Sequence, residues 1–150
     1  MQAPLKFVEY RKLNPKQKEV YNFQKVASLL ADYGYNCIKL ADDWKGADFL
    51  AYHFDSFSTL RVQLKGRMTV SRNYELKGND SSEKEIYMTF PIRGIWYLVS
   101  HSKLVELVGI HTNWLVTESW QKEGVYSSAS PNRELVASLA DYCLHPKPNE

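Results

Sequence analysis

Apolar positions in the first third of the chain fall at Val20, Phe23, Ala27 and Leu30, at steps of three, four and three. That spacing is one face of an amphipathic helix, which Val26 and Ala31 broaden. Asn14 followed by Pro15 reads as an N-cap with proline in the first turn. Gly34 reads as the stop. The pattern therefore predicts a helix over 15–33. The period then drops to two. Strands are predicted over Asn36 to Leu40, Asp48 to Phe54 and Thr59 to Met68, with a turn at Asp55-Ser56-Phe57-Ser58. In the third strand Leu60, Val62 and Leu64 alternate with Arg61, Gln63 and Lys65, so apolar and polar sets face opposite sides.

Residues 71–84 are polar, and Gly78-Asn79-Asp80-Ser81-Ser82 marks a loop. Glu85 to Phe90 and Ile95 to Val99 read as a fourth strand and a buried fifth. A short helix over Ser102 to Val108 would be capped by Ser102, while 112–120 has no single reading. Ser130-Pro131 repeats the cap-then-proline signal. The set Leu135, Val136, Leu139, Tyr142 and Cys143 gives a late helix, and 145–150 is expected to fray. Helix, several strands, short helix and late helix together predict an α/β fold, a mixed sheet with flanking helices.

Composition narrows this little. The 150 residues suit one domain, a basic arm (1–14), a core (15–108) and an extension (109–150) with a helix. A hydrophobic share of 44% supports a real core and argues against disorder. The net charge of +2 leaves any nucleic-acid partner to local clusters. Cys37 and Cys143 form no CxxC or Cys/His cluster, so two buried free thiols in a reducing cytoplasm are expected rather than structural zinc. His101 and His111 bracket Glu106 at spacings of five, which do not share a helix face, so no zinc site is expected there. No apolar h-region or run of membrane-spanning length is visible.

The centre of the chain carries the candidate chemistry. Asp48 opens one predicted strand, and Gln63-Leu64-Lys65 closes the next after fourteen intervening residues. Strands joined by a tight turn are antiparallel neighbours, so the start of one lies beside the end of the other. Gln63 and Lys65 are two apart and share a face. A carboxylate, an amide oxygen and an ammonium then meet at a strand end. Such a set suits phosphodiester hydrolysis. Asp48 and Gln63 would offer oxygen ligands to a hard cation, and Lys65 would position water or offset charge on the phosphorane-like transition state. Taken singly, each residue has a plainer reading: a strand-end acid, an exposed strand glutamine, and an edge lysine that discourages aggregation.

With those residues in that order, the chain resembles the PD-(D/E)xK nuclease superfamily. Its pattern is an acid on one strand and (D/E)xK on the next. Asp48 matches the acid and Lys65 the lysine. Gln63 stands where Asp or Glu is usual, as it does in some superfamily members, certain intron-encoded homing endonucleases among them. Ala47 replaces the family's proline. Many members carry a glutamate on the preceding helix. The matching position here is Gln24, about ten residues before Gly34-Tyr35, with Glu19 a second candidate. The resemblance covers roughly 15–108 and implies a restriction-endonuclease-like core, a central mixed β-sheet flanked by helices. It further implies a Mg²⁺- or Mn²⁺-dependent DNA endonuclease, homing-type or from a mobile element. Cutting both strands of a duplex needs two sites, hence a homodimer or higher homo-oligomer.

Arg67, Arg72 and Lys77 follow the candidate site, with Asn73 and Tyr74 interleaved. Lys6, Arg11, Lys12, Lys16 and Lys18 cluster in the arm and first helical turns. Both groups are candidates for phosphate contacts on DNA. Two readings compete with the endonuclease: a catalytically weakened nucleic-acid-binding module of the same fold, and an unrelated α/β protein in which the motif is coincidence. An acid in the Asp42-Asp43 turn assisting a metal is a further expectation.

Overall fold

The computed structural model describes residues 3–44 and 46–149, with the side chains of Asp43 and Trp44 outside the description. The expectation for Asp43 falls there, and Asp42 is exposed. Helix α1 spans Pro15–Asp32. The Asn14 side chain accepts from the Gln17 N–H, and Gln17 Oε1 accepts from the Asn14 N–H, so two otherwise orphaned donors are satisfied reciprocally. Gly34 follows at φ +87°, a backbone state that a Cβ disfavours.

Five strands, β1 (Tyr35–Trp44), β2 (Ala47–His53), β3 (Thr59–Leu64), β5 (Ile86–Ile92) and β6 (Ile95–Ser100), then form a mixed sheet in that order. Strand β1 pairs antiparallel with β2, with an irregular register between Lys39 and Trp44. Strand β3 pairs antiparallel with β2. Strand β5 lies parallel to β3, and β6 antiparallel to β5. The third strand was expected to run to Met68. Instead the chain leaves the sheet after Leu64, turns through Lys65-Gly66, and starts β4 (Met68–Ser71) in another layer. There β4 pairs antiparallel with β7 (Val125–Ser128), a strand the sequence did not signal.

Helix α2 (His101–His111) is capped by Ser100, whose hydroxyl accepts from the Lys103 N–H, and not by Ser102. Ser102 instead donates its N–H and hydroxyl to Glu85. The 112–120 stretch forms a 3₁₀ turn at Trp114–Val116 and enters a π turn at Ser119–Glu123. The late helix is shorter than expected. Helix α3 is Arg133–Ser138, capped by Asn132 rather than Ser130, and Cys143 has left helical geometry to form an isolated bridge with Tyr97. The tail is tied down rather than frayed: the His145 N–H donates to the Tyr33 hydroxyl and the Lys147 N–H to Asp32.

Both faces of the sheet are used. One carries Phe49, Ala51 and Val62 against Val26 and Leu30 of α1. The other carries Met88 and Phe90 against Met68, Val70, Leu104 and Leu135. Phe90, Trp96 and Tyr97 are core residues, and Trp114 and Trp120 are buried as well. Both cysteines are free but only half-buried. No helix among the described residues is long and apolar enough to cross a membrane.

A strand-end cluster at the β2–β3 hairpin

The β2–β3 ladder pairs Phe49 with Val62. One further step in that register sets Asp48 beside Gln63, and lateral neighbours in a sheet share a face. That face is opposite α1, because Phe49 and Val62 occupy the α1 side. The link at this end of the hairpin is a side chain. The Leu64 N–H donates to Asp48 Oδ2 at 2.8 Å, so the carboxylate takes the place of a ladder carbonyl. On the other flank the Lys65 N–H donates to the Thr89 carbonyl at 2.9 Å, which extends the β3–β5 pairing past Leu64. Both strand neighbours therefore hold the Gln63-Leu64-Lys65 segment.

Gln63 is not the exposed polar residue that alternation alone suggested. Its register partner on β5 is Met88, a core residue, and only 6% of Gln63 is exposed. Its Oε1 atom is buried with no hydrogen-bond partner. An unpaired buried carbonyl oxygen costs about 1–3 kcal/mol, so one left in a folded interior asks for a partner. Lys65 is half-buried, and its Nζ lies 5.7 Å from the centroid of the Tyr74 ring. Tyr74 in turn meets the buried His101 ring edge-on, at 5.6 Å between centroids. In the sequence Tyr74 stands only as an aromatic interleaved with basic residues. Its contact with Lys65 depends on the fold of 66–74, which no local pattern announces.

The helix residues stand differently. Gln24 is exposed on α1 and lines a groove of about 1110 Å³ that Gly66 and Trp96 also line. Glu19 pairs with Lys39 of β1 at 3.9 Å. Of the basic residues, Arg67 donates to the Ser127 hydroxyl and carbonyl at 3.1 and 3.3 Å, which ties β4 to β7. The Arg72 guanidinium sits 5.3 Å from the Trp120 ring centroid. Lys77 and Lys16 are exposed, and Lys18 lies over the Tyr10 ring at 5.3 Å. Arg11 and Lys12 both pair with Glu9.

A divalent cation is implied by the resemblance, and the donors can be tested against it. Asp48 and Gln63 supply one carboxylate and one neutral oxygen, both hard donors. Among the described residues no group of three or more His, Cys, Asp or Glu side chains is placed to hold a metal. An all-protein cage is therefore a poor fit. What the pair offers a cation is its donor chemistry: two hard oxygens, with Asp48 Oδ2 also accepting from the Leu64 N–H and Gln63 Oε1 buried, and the rest of the shell left to water and phosphate. Comparison of the chain with protein-family models, with curated proteins and with solved structures finds no match.

Proposed function

We propose that this chain is a metal-dependent endodeoxyribonuclease with a restriction-endonuclease-like core, similar to the glutamine-bearing homing enzymes of the PD-(D/E)xK superfamily. The observation that carries the reading is the buried, unpartnered Oε1 of Gln63 at the register position beside Asp48. A coincidental motif gives no reason for a core glutamine to keep an unpaired oxygen, since leucine or methionine would fill the space without that penalty. Asp48 and Gln63 would hold Mg²⁺ or Mn²⁺. When bound, the cation supplies Lewis-acid polarisation of the phosphate and lowers the pKa of water. Lys65 would hold the attacking water in line and stabilise the charge gathering on the phosphoryl oxygens. Tyr74, whose ring the Lys65 ammonium faces, would limit that ammonium's freedom. Cleavage of both strands of a duplex would need two copies of the chain.

The test uses purified protein with supercoiled plasmid and with single-stranded, branched and genomic DNA, in Mg²⁺ or Mn²⁺. Nicking or cutting that disappears with chelator, in Asp48→Asn and in Lys65→Ala is the expected result. Asp48→Asn keeps an oxygen for the Leu64 N–H, so the fold should survive it. DNA binding without turnover on any substrate would assign the weakened binding module instead. No DNA affinity at low salt would remove the reading.

A further inference from the structure

The β5–β6 hairpin closes through two residues, Arg93 and Gly94, because Ile92 pairs directly with Ile95. Both turn residues have positive φ, 52° and 79°. That is the pattern of a type I′ turn, whose first position favours Asn, Asp or Gly because longer side chains disfavour the left-handed state. Arginine is a poor choice for this backbone. Phe57, the other non-glycine residue with positive φ, has a folded-state contact, since its ring lies 6.3 Å from that of Tyr52. Arg93 has none: it is exposed and makes no hydrogen bond, ion pair or ring contact among the described residues. Arg67 and Arg72, by contrast, are both engaged with the C-terminal part of the chain. Folding alone thus gives no account of Arg93.

Its position in the sheet does. Strand β5 runs parallel to β3, so the Arg93-Gly94 tip projects from the same end of the sheet as Lys65. Thr89 accepts from the Lys65 N–H, and Arg93 lies four residues further along, about 13 Å at 3.3 Å per residue. At 3.4 Å of rise per nucleotide, 13 Å is roughly four steps along one DNA strand.

We infer that Arg93 is a DNA-binding residue, held out by a strained hairpin tip to contact a backbone phosphate a few nucleotides from the scissile bond. This rests on the nuclease reading. The guanidinium would position the duplex rather than read its sequence, because phosphate contacts fix register without base information. The strained turn keeps the cation on a rigid two-residue tip instead of a mobile loop.

The test is anisotropy binding to a 30-base-pair duplex in chelator across a salt series, with Arg93→Asn, Arg93→Lys and a charge control, Arg133→Asn on α3. Asn suits the turn, so Arg93→Asn is expected to raise Tm by about 2–4 °C. It should also weaken binding about tenfold at 0.1 M salt and flatten the log–log slope by about 0.9, the loss of one phosphate contact. Arg93→Lys should keep the slope. Unchanged affinity and slope in Arg93→Asn would overturn the assignment. So would an equal loss in Arg133→Asn, which would make the effect one of net charge. If wild type cuts DNA and Arg93→Asn binds normally, only the Arg93 role fails. If wild type has no DNA affinity, the nuclease reading fails with it.

Discussion

Acidification offers a sharp check on how α2 is seated. His101 is fully buried at the first position of the helix, and its Nε2 accepts from the Ser71 N–H at 3.0 Å. That bond requires a neutral ring with the proton on Nδ1. Burial lowers the pKa from 6.5 to about 4, and the nearby Glu85 only partly counters it. The folded-state pKa lies below the unfolded one, so the unfolded chain binds the extra proton first. Stability is then intact above pH 6.5 and is lost as pH falls towards 4. With these two values, His101 alone removes about 2 kcal/mol between pH 7 and pH 5, and about 3 kcal/mol by pH 4. Urea unfolding at pH 7.5, 6, 5 and 4.5 measures the loss. The comparison is His101→Gln, whose amide oxygen can accept from Ser71 without titrating. The variant should be less stable at pH 7.5 through imperfect packing, yet lose about 2 kcal/mol less on acidification. Parallel pH profiles for the two proteins would refute a buried neutral histidine.

Further outcomes follow from other positions. Gly34→Ala meets both a positive φ and the Phe54 ring 2.7 Å from the new Cβ, so thermal or urea denaturation should show a loss of about 1–3 kcal/mol. Gln63→Glu places a second carboxylate beside Asp48 in a buried setting. Its Tm without metal should fall below wild type, and millimolar Mg²⁺ should raise it more than it raises wild type, as read by differential scanning fluorimetry. Burial raises the Cys37 thiol to about 11, so alkylation at pH 8 should be slow and should keep accelerating up to about pH 11.

How far the sequence carried these features depended on how local their causes are. The capping box at Asn14 and Gln17 and the apolar stripe of α1 are decided within one or two helical turns, so spacing alone located the helix. The alternation from Leu60 to Leu64 placed Val62 on one face and Gln63 on the other for the same reason. Where the causes are distant, pattern reading failed. The third strand ends at Leu64 because the chain beyond it pairs with residues 125–128, and Arg67 is anchored by Ser127, sixty residues later. Gln63 looked like a surface residue because nothing nearby reveals that β5 delivers Met88 beside it. His101 was one of two histidines around an acid, and its burial follows from the Ser71 backbone thirty residues earlier. Ser100 is the cap because α2 already begins at His101, which puts Ser102 inside the first turn with its N–H and hydroxyl donating to Glu85 on another element.

The β4–β7 ribbon has a consequence for synthesis. Met68 finds its partner only at Ser128, so a chain emerging from the ribosome can assemble helix α1 and all five strands of the main sheet before residue 128 exists. Throughout that interval Met68 and Val70 have no second strand, and Leu135 and Leu139, which cover the same face, are still to come. A nascent chain halted near residue 110 would thus present unpaired backbone and bare apolar surface together, the two features that favour aggregation. Residues 111–149 act as the closing layer over this face of the sheet, and the nascent chain is at its most vulnerable just before they emerge.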